Sequence, residues 1–266
     1  MTQSAASSGS ATVRKGATRA ADIPPDVLAS LSRGESSALT LTETLAVDQR
    51  ILARSVFPGL APDVLKAVDA AADLGILKRM QGVAQALLQA LGDGGVAQCE
   101  AHTSDTVRGW ACFMIGAMPA DDLGERLRRI RGLADDAHFG VREWAWMAVR
   151  PHLTERLDDA VALLAGWTGE SSEYLRRFAS ESIRPRGVWC AHIAALKKNP
   201  DMALPVLSPL KADPSTYVQD SVANWLNDAG KDQPAWVRAL CASWQKESPV
   251  PATGRICQRA LRNLKD

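Results

Sequence analysis

One apolar pattern recurs five times along the chain and leaves little freedom in how it can fold. With Val107, Val141, Leu175, Val218 and Ile256 as origins, the fourth position on holds Ala111, Ala145, Ala179, Val222 and Ala260. The eighth position on holds Ile115, Val149, Ile183, Leu226 and Leu264. Residues at 0, 4 and 8 fall on one side of an α-helix, so each segment is a helix with one apolar stripe. The origins are 34, 34, 43 and 38 residues apart, and each interval has room for one further helix, such as residues 120–133 or 158–167. A single helix pair cannot bury such a stripe by itself, whereas stacking on neighbouring pairs makes one continuous core. A plain bundle would not need a shared register.

The expected fold is therefore all-α, a HEAT-like or armadillo-type superhelix: a solenoid of antiparallel helix pairs with a long concave surface. After Pro24 and Pro25 the chain is rich in helix formers and lacks strand alternation. Breaks are expected at Pro58, Pro62, Gly92–Gly95, Pro119, Pro151, Pro185, Pro200, Pro214, Pro234 and Pro251. Residues 1–22, small, polar and basic, read as a disordered tail, and residues 23–266 as the repeat domain. Arg14, Lys15 and Arg19 would make that tail a weak nucleic-acid arm.

Composition narrows the function more by exclusion than by sign. The five cysteines form no CxxC pair, and the four histidines have no metal-ligand spacing. Neither a zinc site nor a disulfide framework is expected; no metal or cofactor is implied, and a reducing cytoplasm is the natural setting. No apolar run approaches the ~18 residues that span a bilayer, so no membrane partner is expected. The net charge of +1 announces no polyanion, although residues 101–200 carry twelve arginines and two lysines beside thirteen acids.

The polar residues have a pattern of their own. Positions 2, 6 and 9 lie opposite the apolar stripe: Glu143, Met147 and Arg150 in the second repeat, Arg177, Glu181 and Arg184 in the third. The fourth repeat places Asp220, Asn224 and Asn227 there, with Asp228 next to them. Arg108, Arg142 and Arg176 share position 1, a ladder that would suit a phosphate chain. Spacing alone also allows a plain use for Glu181, a surface pairing with Arg177 and Arg184 that contributes only ~0.3–0.5 kcal/mol per pair. Yet acids on three successive helices repel a polyanion, and so need another reason to be there. Trp110, Trp144, Trp225, Trp236 and Trp244 fall on core positions, while Trp189, in a Gly-containing turn after Pro185, is expected at the groove rim.

At this point the motifs resemble a known family. "RRFASESIRPRGVW" (176–189) and "DPSTYVQDSVANWLNDAGKDQP" (213–234) are similar to motifs of bacterial DNA alkylation repair glycosylases built from HEAT-like repeats, the AlkC/AlkD superfamily, AlkC-like branch. "LTETLAVDQRILARSVFP" and "HFGVREWAW" fit as well, and the match covers about residues 39–264. The resemblance implies a monomer that binds duplex DNA along its concave face and excises cationic N-alkylated bases such as 3-methyladenine. It implies catalytic roles for Glu143, Glu181 and Asp228, and DNA contacts from Arg142, Arg176, Arg177, Arg184, Arg186 and Trp189. Gln219 and Asp220 stand where relatives often have two arginines, Ser182 where they have glycine, and "RPRGVW" where they have "RPRLPW"; weaker phosphate binding is expected there. The alternative is a non-catalytic HEAT-repeat scaffold that grips a protein or undamaged nucleic acid.

Overall fold

The computed structural model describes residues 14–120 and 122–264. These residues form fifteen α-helices and no strand. The first five are α1 (Pro25–Arg33), α2 (Leu41–Ala46), α3 (Gln49–Val56), α4 (Pro62–Ala72) and α5 (Ile76–Glu100), the last kinked at Gly92 with φ 57°. Helix pairs follow: α6 (Asp105–Ala117) with α7 (Leu123–Ala134), and α8 (Phe139–Glu155) with α9 (Leu157–Ala165). Next come α10 (Glu173–Glu181) with the short α11 (Ala194–Lys198) and α12 (Leu204–Leu207), then α13 (Thr216–Gly230) with α14 (Pro234–Glu247), and α15 (Pro251–Leu261). No helix among the described residues is long and apolar enough to cross a membrane.

The five origins all fall on α6, α8, α10, α13 and α15, which pack side by side as successive inner helices of the solenoid. Their stripe is the core: from Val107 to Ala260 every stripe residue is at most 2 % exposed, and only Leu264, past the end of α15, is half-buried. Close packing of neighbours explains Gly116, where a Cβ would lie 2.7 Å from the Ala148 carbonyl oxygen on the next inner helix. Polar caps set where three of these helices, α8, α10 and α13, begin. The Ser172 and Ser215 hydroxyls accept from the backbone N–H of Tyr174 and Tyr217, and the His138 Nδ1 accepts from that of Gly140.

Two expectations need correction. The helix does not stop at Pro151; α8 runs on to Glu155. Proline costs it one backbone hydrogen bond, and burial of Leu153 against the core outweighs that loss. The second concerns the tail, whose residues 1–13 lie outside the described part. Residues 14–22 are not free of the domain: Arg14 forms a two-pronged ion pair with the buried Glu43, at 2.5 and 3.0 Å, and the Ala17 N–H donates to the same carboxylate. Glu43 also accepts from the Leu39 N–H. These donors, the Arg14 guanidinium first, hold its carboxyl down to about 2. The segment is thereby fixed onto α2, whose Leu41 and Thr44 form one wall of the groove described next.

Candidate active site and nucleic-acid interface

A cleft of about 440 Å³ opens between α2, α8, α10 and the turn after α10. Its charged lining is Glu143, Arg177, Glu181 and Arg184, and its aromatic lining is Phe139, Trp144, Trp146, Trp189 and Tyr217. The acids and bases alternate along one line. Arg177 lies between Glu143 (2.8 Å) and Glu181 (3.6 Å); Arg184 lies between Glu181 (2.7 Å) and Asp228 (2.7 Å). Lys231 closes the row on Asp228 at 3.1 Å. Three carboxylates from three successive inner helices are thus joined by the guanidiniums between them.

The three acids are not equivalent. Glu181 is almost wholly buried, and both oxygens are engaged, one by Arg184 and the other by the Ser221 hydroxyl at 2.6 Å. Burial, the largest single influence, pushes the Glu181 carboxyl up; the charges of Arg177 and Arg184 with the hydrogen bonds together outweigh it, and its pKa sits below the ordinary carboxylate value. The same partnership raises Arg177 and Arg184 against their own burial. Glu181 is therefore a fixed anion. Asp228 is also buried and does not line the cleft; it stands one guanidinium behind it. Glu143 is the open one, its side chain 31 % exposed, with one oxygen on Arg177 and the other accepting from the Trp146 indole N–H at 2.8 Å.

The aromatic wall is built from both sides. Trp144 is buried on the core edge of α8, as its position predicts, and the Trp189 ring stacks on it at 6.3 Å with 21° between planes. Trp189 is 44 % exposed and takes φ 62°, unusual for a bulky residue, at the tip of the turn. Arg150 holds that turn in place. Buried and without a carboxylate partner, it donates to the carbonyls of Ser182 (2.8 Å), Arg184 (2.7 Å) and Ala191 (3.1 Å). Gly187 is required at this spot because a Cβ would fall 2.1 Å from the Cys190 Sγ and 3.3 Å from the Arg150 guanidinium carbon. Tyr217 forms the remaining wall, with Arg177 lying 4.4 Å over its ring.

The position-1 ladder is put to a different use from the one expected. Each arginine turns back to the loop before its own helix, donating to the carbonyls five and six residues upstream. Arg108 meets His102 and Thr103, Arg142 meets Asp136 and Ala137, and Arg176 meets Glu170 and Ser171. Arg108 and Arg176 then reach the acid of the following repeat, Asp136 and Asp213, at 2.7 Å. Arg142 instead packs on Tyr174 at 3.9 Å. Gln219 keeps the same duty in the fourth repeat, donating to Asp213 O at 2.8 Å. Arg186 pairs with Asp232 at 3.0 Å, away from the cleft lining. Of the residues expected to meet DNA, the cleft brings together Arg177, Arg184 and Trp189, but not Arg142, Arg176 or Arg186. Sequence reading missed Trp146, Tyr217, Ser221 and Arg150 as parts of the site. Trp146, three residues after Glu143 on the same helix, and Ser221, on the side of α13 that meets α10, carried a positional signal.

Residues 140–250 match the family model described as DNA alkylation repair enzyme. The Bacillus subtilis (strain 168) protein YhaZ is 38% identical over 135 residues, which is 51% of this chain and 36% of that one. Among solved structures, Pseudomonas fluorescens alkylpurine DNA glycosylase AlkC bound to DNA containing an abasic site analog superposes with a TM-score of 0.65 and 29% identity, covering 79% of this chain and 59% of AlkC. AlkD2 from Streptococcus mutans, at 21% identity and a TM-score of 0.53, shares the helical-repeat fold. The chain thus spans about a third of the length of YhaZ and three-fifths of AlkC. The matched segment holds Glu143, Glu181, Asp228 and Trp189 together, and it is over this segment that the chain is similar to the DNA alkylation repair enzyme family.

Proposed function

We propose that this protein is a DNA glycosylase that releases cationic N-alkylated bases from duplex DNA lying along its concave face. The observation that carries the reading is the cleft, in which aromatic faces stand beside one open and one buried carboxylate. A positively charged ring is attracted by both, through cation–π contact with the exposed Trp189 and through the nearby anions. Alkylation already makes the base a leaving group, so no acid has to protonate it. Water adds through its oxygen to C1′ while the glycosidic bond breaks. The bonding pair passes to the base nitrogen and cancels its charge, and the water proton goes to a carboxylate. Glu143, open to solvent and aligned by Trp146 and Arg177, is suited to orient that water and take the proton. Glu181, a fixed anion, and the Asp228 carboxylate behind Arg184 supply the field that favours an oxocarbenium-like sugar.

The test is release of free bases from methylated duplex DNA, identified by chromatography. Wild-type protein is expected to liberate an alkylated purine, and Glu143→Gln and Asp228→Asn to lower the rate by about 100-fold or more. Duplex binding without any base release would return the chain to the reading of a non-catalytic HEAT-repeat scaffold.

A further inference from the structure

The last inner helix carries a charge pattern that the cleft does not use. Arg255, Arg259 and Arg262 follow one another at i, i+4 and i+7 along α15 and its final turn, which puts them on one face. All three lean toward α13. Arg255 donates to Asp220 at 2.7 Å and to the Gln219 side-chain oxygen at 3.2 Å; Arg259 lies 3.0 Å from the same Asp220 oxygen; Arg262 donates to Asn224 at 2.9 Å. Asp220 and Asn224 belong to the α13 face that also presents Lys231 and Asp228, so the row lies on the concave side, continuous with the cleft.

The row is out of electrical balance. Elsewhere on this surface each arginine of the position-1 ladder that meets an acid meets one of its own, as Arg108 does Asp136 and Arg176 does Asp213. Here Arg255 and Arg259 share one carboxylate and Arg262 has only a neutral amide, so among the described residues three guanidiniums of the row stand against one acid. The Arg255 and Arg259 side chains are 34 % and 41 % exposed, and Arg262 is exposed. Asp220, which by sequence removes positive charge from α13, in the fold draws two guanidiniums onto its edge. Guanidiniums held in a row by a shared acid and a neutral amide are oriented donors with unused N–H groups, the form that phosphate oxygens take up.

We infer that Arg255, Arg259 and Arg262 anchor the phosphate backbone of one DNA strand at a distance from the reacting base. Neighbouring packed helices are about 8–10 Å apart, and α15 is two steps beyond α10, so the anchor lies roughly 18 Å from Glu181. A strand advances about 3.4 Å per nucleotide, which places the contact about five nucleotides from the base in the cleft. The inference rests on the proposal that duplex DNA occupies the concave face, and it adds a reach and a side to that proposal.

The experiment measures binding to a duplex with a central abasic analogue, with about ten base pairs on each side, and to two forms trimmed to about three base pairs on one side or the other. For Arg255→Gln/Arg259→Gln/Arg262→Gln, the slope of log affinity against log salt is expected to fall by about two to three, with about 10- to 100-fold weaker binding near 0.1 M salt. Trimming one side, and only one, is expected to cost the wild type a similar factor and the triple variant nothing. A triple variant with the wild-type slope and length dependence, whether or not it melts earlier, would show that the row is only a staple between α13 and α15. If the triple variant does not fold, Arg262→Gln alone is expected to lower the slope by about one, and an unchanged slope overturns the anchor. Failure of the parent reading is told apart by base release. Length-dependent binding without release leaves the anchor standing and removes the glycosylase; a wild type that binds no duplex removes the anchor.

Discussion

Replacing Glu181 by Gln keeps the shape of the side chain and deletes the charge that two guanidiniums share. At an effective dielectric near 20, a guanidinium and a carboxylate about 4 Å apart attract by about 4 kcal/mol, and Glu181 has two such partners. Desolvation of the buried ions takes back several kcal/mol, so the pairs contribute far less to net stability than to the cost of being broken. In the variant, Arg177 keeps Glu143 at 2.8 Å and Arg184 keeps Asp228 at 2.7 Å, so neither cation is left alone. The expected loss is therefore at the low end of the range for a broken buried pair, about 3 kcal/mol. Glu143→Gln removes an acid whose side chain is 31 % exposed and is expected to cost about 1 kcal/mol or less.

Urea unfolding followed by tryptophan fluorescence checks the difference, because Trp144, Trp146 and Trp189 all line the cleft. Both variants are expected to lose base release, but only Glu181→Gln to lose substantial stability. Equal stability losses, or a Glu181→Gln protein within about 0.5 kcal/mol of wild type, would refute the assignment of Glu181 as the fixed anion of the network. The pH dependence has a defined sign. A carboxyl with a lowered folded pKa stabilises fully above its ordinary value of 4.5, and the contribution is lost as pH falls through the lower folded value. The gap between wild type and Glu181→Gln should thus be constant from pH 6 to 8, and should close only on acidification below 4.5.

Three further outcomes follow from the same geometry. Arg150→Met leaves the carbonyls of Ser182, Arg184 and Ala191 without their donor and is expected to cost about 3 kcal/mol; trypsin should then cut first after Arg186, and cleavage no faster than in wild type would count against the clamp. Gly116→Ala pushes a methyl against the Ala148 carbonyl at 2.7 Å and should lose about 1–3 kcal/mol, read from the urea midpoint. Arg14→Met removes the guanidinium from Glu43; because Arg14 is 34 % exposed, solvent screening reduces the expected loss to about 1–2 kcal/mol. That loss should fade as pH falls from 4.5 toward 2, where Glu43 takes up its proton, and a gap that persists there would show that packing rather than charge holds the segment.

The repeats were legible because they rest on a period: a stripe at 0, 4 and 8 states which side of a helix is buried, whatever the loops do. The same wheel gives a direction but no distance, and this explains the ladder. Whether an arginine at position 1 meets a phosphate or a carbonyl depends on the loop five or six residues upstream, which has no period to read. Arg142 and Arg176 therefore look like groove residues in sequence and are fasteners in the fold. Trp189 was placed at the rim by its turn, but the clamp that holds the turn, Arg150, sits on the predicted groove stripe and points into the protein. A buried cation satisfied only by backbone carbonyls carries no sequence partner by which to find it.

The charge balance of the cleft bears on how such a protein would handle DNA. Glu143, Glu181 and Asp228 are matched by Arg177, Arg184 and Lys231, so the row presents no surplus charge to a phosphate chain. Affinity for duplex then has to arise elsewhere, and selectivity for a cation can reside in the cleft without being swamped by backbone attraction. On the proposed reading, an undamaged neutral base gains little from the carboxylates and aromatic faces, whereas an alkylated base gains from both. On the same reading, the arginines of α15, two inner helices away, supply the general attraction. Separating grip from choice in this way requires a surface long enough to hold both, which a solenoid of stacked helix pairs supplies and a compact bundle of the same length does not.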